Sequence, residues 1–152
     1  MGFEFTLEGL LRVRESFEKQ AELKLAVASG QLKRLEAMLA LAREQLTSTD
    51  NRLGELLAQG ATGCDLHLLC LEKAILERRE QSLAESVAAA LTEVQKLRAR
   101  LQEAQQKRKI LDRLRQKQLS RFLLIESRRG QQEIDDAFLS RRYLVGNGKD
   151  LA

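Results

Sequence analysis

From Ala21 to Leu56 the chain sets Ala21, Leu25, Ala28, Leu32, Leu35, Leu39, Ala42, Leu46, Thr49, Leu53 and Leu56 at alternating steps of four and three. All but Thr49 are apolar. A mean step of 3.5 keeps one stripe of an α-helix turned toward a partner helix as the two wind in a left-handed sense. Few other folds sustain that spacing for so long. A second series obeys the same rule: Leu83, Val87, Ala90, Val94, Leu97, Leu101 and Ala104. Its frame runs back through Leu76, Leu69 and Leu66 and forward to Leu111, Phe122 and Ile125, meeting charges at Lys73, Glu80, Arg108 and Arg115. The chain has no proline, only 4% aromatic residues and 32% charged ones, which is the composition of long helices.

Toward the N-terminus the first seam is expected to continue through Phe3, Leu7, Leu10, Arg14 and Phe17. That series reaches Leu25 by two successive steps of four, an eleven-residue unit that locally unwinds the supercoil. Thr6 is placed as helix N-cap, with Phe5 and Leu10 as its hydrophobic staple. The seams are separated by "LLAQGATGCDLHLL", residues 56–69. Gly60 suits the left-handed conformation that ends a helix, Gly63 loosens the connection, and Asp65 is placed to cap the second helix, with Cys64 and Leu69 as staple. A short loop between seamed helices turns the chain antiparallel to itself. "TSTDN" at 47–51 is a rival turn, but it has no glycine and the seam stays in phase across it.

The sequence therefore predicts an all-α fold, a long two-helix antiparallel coiled coil or helical hairpin. Helix one spans 6–58, the loop 59–65 and helix two 66–142, with a disordered tail over 143–152. If residue i faces about 124 − i, helix one is exhausted near residue 118, and helix two projects alone from about 119. The projecting part carries Phe122, Ile125, Ile134 and Phe138, and Gly130 is a candidate bend. Residues 1–95 carry a net charge of about −4 and residues 96–142 about +8, so the formal +4 conceals a basic open end. Arg14 and Arg108 fall nearly opposite each other in the seam and loosen that end.

Two wound helices leave no room for an enclosed catalytic pocket. The single histidine has no nucleophile held against it, and neither a phosphate-binding loop nor a dinucleotide fingerprint occurs. The expectation is therefore no enzyme and no cofactor. Cys64, His67 and Cys70 stand three apart, a zinc-like spacing with no fourth ligand at hand, and read better as thiols beside a surface histidine. Asp135 and Asp136 read as an exposed helix face, so no metal is expected. With no signal sequence and no apolar run long enough to span a bilayer, the expected setting is a reducing cytoplasm. The basic stretch "RKILDRLRQKQLSR" at 108–121 raises the question of nucleic acid, as in leucine-zipper readers. Its leucines and its place in the pairing argue against that, and no nucleic-acid partner is expected. Alone, the hairpin is expected to be monomeric.

Several segments, in this order, resemble the FliJ family: "FTLEGLLRVRESFEKQAELKLA" (5–26), "LEKAI" (71–75), "AQQKRKILDRL" (104–114) and "QQEIDDA" (131–137). That family is the soluble coiled-coil component of the bacterial flagellar type III export apparatus. The resemblance implies a fold like the central stalk of rotary ATPases. It also implies binding to the hexameric export ATPase through the end carrying both termini, contact with the cytoplasmic region of the export-gate membrane protein, and handling of export chaperones. Carried over, the ATPase-facing residues are Phe3, Leu7, Leu10, Leu11, Phe122 and Ile125, with Arg12, Arg121, Arg128 and Arg129 as basic contacts. The gate-facing residues are Leu68, Leu71, Ala74 and Arg78, although aromatic positions common in such patches are Ala42, Leu46 and His67 here. The implied location is the cytoplasmic face of the membrane at the flagellar base. The equivalent stalk of a virulence secretion system is the nearest alternative, and a basic coiled-coil nucleic-acid binder the alternative from another class.

Overall fold

The computed structural model describes residues 2–147. Two helices, α1 (Glu8–Gln59) and α2 (Gly63–Asn147), form an antiparallel hairpin, and no strand occurs among the described residues. Two units can be distinguished. One combines the N-terminal residues to Glu15 with the chain from Gln106 onward; the other is Ser16–Gln105.

In the Ser16–Gln105 unit the seam follows the spacing closely. Every position of the Ala21–Leu56 series is buried or half-buried, as is every position of the Leu66–Ala104 series. Leu39, Ala42, Leu69, Val94 and Leu97 are the most enclosed apolar residues. Removing such a side chain from water contributes about 1.5–3 kcal/mol, and here the contributions come as successive layers rather than as one globular core. Charges that interrupt the α2 seam find opposite charges on α1. Lys73 Nζ lies 2.6 Å from Asp50 Oδ1, and Arg43 Nε donates to Glu80 Oε1 at 2.9 Å. Arg52 and Glu72 add a looser pair at 3.8 Å. The numbers in these pairs total 123 or 124, so the register agrees with the one expected from the spacing.

The turn is tighter than the expected 59–65. Gly60 has φ +75°, and the Ala61 N–H donates to the Leu56 carbonyl at 3.1 Å, a six-to-one bond that closes a Schellman cap. Helix α2 then starts at Gly63, and its cap is Thr62 rather than Asp65. The Thr62 hydroxyl donates to Asp65 Oδ2 at 2.5 Å, and the Leu66 N–H reaches the Thr62 carbonyl at 3.2 Å. The Asp65 N–H points back to the Thr62 hydroxyl at 3.5 Å, and Asp65 lies in the first turn, where a negative charge favours the helix dipole. The expected Cys64–Leu69 staple is absent from this arrangement, because Cys64 is already helical and exposed.

At the other end of α1 the frame differs from the expected one. Leu11 is only 2% exposed and Glu18 only 9%, whereas Leu10 is 42% and Phe17 52% exposed. The true seam, Leu11, Arg14, Glu18, Ala21, keeps the three–four alternation without an eleven-residue unit. Uninterrupted winding outweighs the greater hydrophobicity of Phe17, and the enclosed Glu18 carboxylate is not left without a partner. The helix begins at Glu8, after a turn in which the Glu8 N–H donates to the Phe5 carbonyl at 3.1 Å. Phe5 packs with Leu11 and Leu111, not with Leu10 as a staple. At the far end α2 continues through Gly130 without interruption. Of the tail expected over 143–152, residues 143–147 are helical and 148–152 lie outside the described residues.

Candidate functional site: an open helical end and a stripe beside the turn

Within the unit that holds both chain ends, the last paired layer is aromatic. Phe3 meets Phe122 with ring centroids 5.7 Å apart and planes tilted by 51°, a favourable offset geometry. Phe3 packs onto the Phe5–Leu11–Leu111 cluster. Glu8 Oε2 stands 3.7 Å from Arg115 Nε, and its other oxygen 4.0 Å from Arg12. Arg108 is bonded to Asp112 one turn along α2. Two cations of the 108–121 stretch are thus engaged by carboxylates inside the unit, which lowers the field available to a polyanion.

Among the described residues nothing covers α2 beyond Phe122. Because residues 3–5 extend the pairing past the start of α1, the projecting segment begins at 123 rather than about 119. From Leu123 to Gly146 every residue except Gly130 is exposed, including Leu123, Leu124, Ile125, Ile134, Phe138, Leu139, Tyr143, Leu144 and Val145. A lone helix is marginal in water, and these apolar side chains make it a candidate contact surface. Arg121, Arg128 and Arg129 lie among them; Arg129 has a loose partner in Glu126 at 3.9 Å.

The residues expected at the ATPase-facing end therefore separate. Phe3 and Phe122 are half-buried against each other, and Leu7 and Leu10 are partly open. Arg12, Arg121, Ile125, Arg128 and Arg129 are exposed. Leu11 is enclosed, so its side chain is occupied inside the unit. Val13, which the sequence frame passed over, is exposed; its place two residues from the enclosed Leu11 is the signal that identifies it.

In the Ser16–Gln105 unit, Leu68, Leu71, Ala74 and Arg78 are all exposed, and Ile75 with them. The spacing 68, 71, 75, 78 places these side chains on one helical face outside the seam, so they are not part of a wide core stripe. His67 is exposed too, and Cys64 and Cys70 are free exposed thiols. Among the described residues no cluster of His, Cys, Asp or Glu could hold a metal ion, and no helix is long and apolar enough to cross a membrane.

The family model described as Flagellar FliJ protein matches residues 3–148, nearly the whole chain. The chain belongs to the FliJ family. No curated protein and no solved structure is significantly similar to it. Membership makes this FliJ-family chain a component of flagellar type III export. The hairpin agrees with the coiled coil that the resemblance implied.

Proposed function

We propose that this protein is a non-catalytic stalk of the flagellar exporter. It would bind the hexameric export ATPase through the open end and reach the cytoplasmic region of the export gate through the stripe beside the turn. It would also meet export chaperones, and it would work in the cytoplasm at the membrane face of the flagellar base. The supporting observation is the bare segment 123–146, whose apolar side chains and arginines have no helix to cover them. A ring lumen lined with apolar and acidic groups would both bury and neutralise such a segment. At the other surface Leu71 and Ile75 are free to enter a groove, with Arg78 at its rim.

Co-purification with the ATPase tests the first contact. A chain lacking 123–152 should lose ATPase binding while keeping its melting temperature within a few degrees, since residues 123–146 are exposed apart from Gly130. Full binding by the truncated chain would overturn the assignment of that end. For the gate, Leu71→Glu should weaken capture of its cytoplasmic region at least tenfold and leave ATPase binding intact. Equal loss at both partners would instead indicate damage to the hairpin.

A further inference from the structure

The bare helix carries a charge pattern that fits a second copy of itself. Along α2, Ile125, Gln132 and Leu139 are spaced by seven and share one face; Ile125 is 49% and Leu139 58% exposed. Arg128 and Arg129 flank that face on its two sides, and so, seven residues later, do Asp135 and Asp136. Seven residues correspond to about 10.5 Å of rise, too far for these arginines and aspartates to pair within one helix. Among the described residues neither Arg128 nor Asp136 has a partner, and Asp135 receives only the Gln131 side-chain amide at 3.1 Å.

We propose that the bare segment pairs antiparallel with the same segment of a second chain, centred on Gln132. In that arrangement Ile125 packs against Leu139 of the second copy at both ends of the contact. Gln132 meets its own counterpart on the two-fold axis. Same-side flanking positions face each other in an antiparallel pair, so Arg128 meets Asp135 and Arg129 meets Asp136, and symmetry doubles each pair. Sliding by one heptad either way brings aspartate opposite aspartate or arginine opposite arginine, which selects this register over its neighbours. Arg121 and Arg142 come opposite each other at the outer edges, so the contact is short and reversible. The expected monomer is then the dilute form. The inference goes beyond the stalk reading, because the self-pairing holds whether or not the segment also enters an ATPase. If it does, the dimer and the ATPase complex exclude each other.

Sedimentation equilibrium of the full chain at low salt, with Cys64 and Cys70 replaced by serine, should show dimer growing with concentration and receding at high salt. The variant Asp135→Arg/Asp136→Arg should sediment as monomer, and so should Arg128→Asp/Arg129→Asp. Mixed in equal amounts, the two should recover a heterodimer, because every reversed charge again meets its opposite. In the same cysteine-free chain, Gln132→Cys should form an intermolecular disulfide on oxidation at least tenfold faster than Ile134→Cys, which lies off the face. A chain that stays monomeric up to about millimolar concentration at a Debye length near 10 Å or more would overturn the proposal. So would a dimer that neither the charge exchange nor the Gln132 cross-link can detect. The Asp135/Asp136 variant keeps every apolar residue and arginine of the bare segment, the groups on which the ATPase reading rests, so loss of its dimer with retained ATPase capture separates the two readings.

Discussion

Gly60 is the one described residue with a positive φ. A Cβ at that position would meet no atom within 4 Å, so substitution there acts through backbone conformation alone. Gly60→Ala should cost about 1–2 kcal/mol, read as a lower urea midpoint with an unchanged slope. Lys73 offers a second test. Its hydrogen bond and charge attraction to Asp50 hold its pKa above the ordinary 10.5. A raised lysine pKa stabilises the fold fully below the ordinary value, and that contribution is lost as pH climbs through the raised one. Thermal melts between neutral and strongly alkaline pH should therefore show an alkaline decline that Lys73→Met reduces. A decline of equal size in the variant would assign it to other groups.

At the scale of the helices, Leu11→Ala should cost about 2–4 kcal/mol by chemical denaturation, whereas Phe17→Ala should fall within about 0.5 kcal/mol of the parent. The reverse order would restore the frame read from hydrophobicity alone. That contrast marks what was legible. Over Ala21–Leu56 and Leu66–Ala104 the apolar spacing and the helix period agree, and the seam, its direction and its register could all be read. Before Ala21 they disagree: the larger apolar residues stand one place off the winding phase, and the phase prevails. At the start of α2 the spacing pointed to Asp65 as the cap, whereas the helix begins two residues earlier at Gly63 and Thr62 is the flanking residue, since both are good caps and apolar spacing does not choose between them. The bare segment at the end of α2 was legible, since residues that run past their partner helix must be exposed. Which side chains near the N-terminus stay exposed was less legible, because Leu10 and Leu11 are equally apolar and only the winding phase encloses Leu11, a residue expected to face outward.

For the molecule as a whole, charge and covering are distributed differently. Most of the positive excess lies in the second half of the sequence, yet part of it is spent internally at Arg108 and Arg115. Residues 123–146 contribute surface and almost no intramolecular burial. Calorimetry of the chain cut after residue 122 should give a melting temperature within a few degrees of the full chain, against a loss of about 2–4 °C for each kcal/mol removed from a chain of this length. A much larger drop would mean that the projecting helix supports the rest.

The connection at Gly60–Thr62 has no slack, and cross-hairpin ion pairs tie α1 to α2 at fixed levels. Relatives of different length should therefore gain or lose residues as matched sevens, one block in each arm at equal distance from the bend. Excising 25–31 together with 93–99 should leave a shorter hairpin with its seam in phase. Excising 25–31 alone would draw the residues before it back along α2 by about 10.5 Å and bring Glu8 level with Arg108 in place of Arg115.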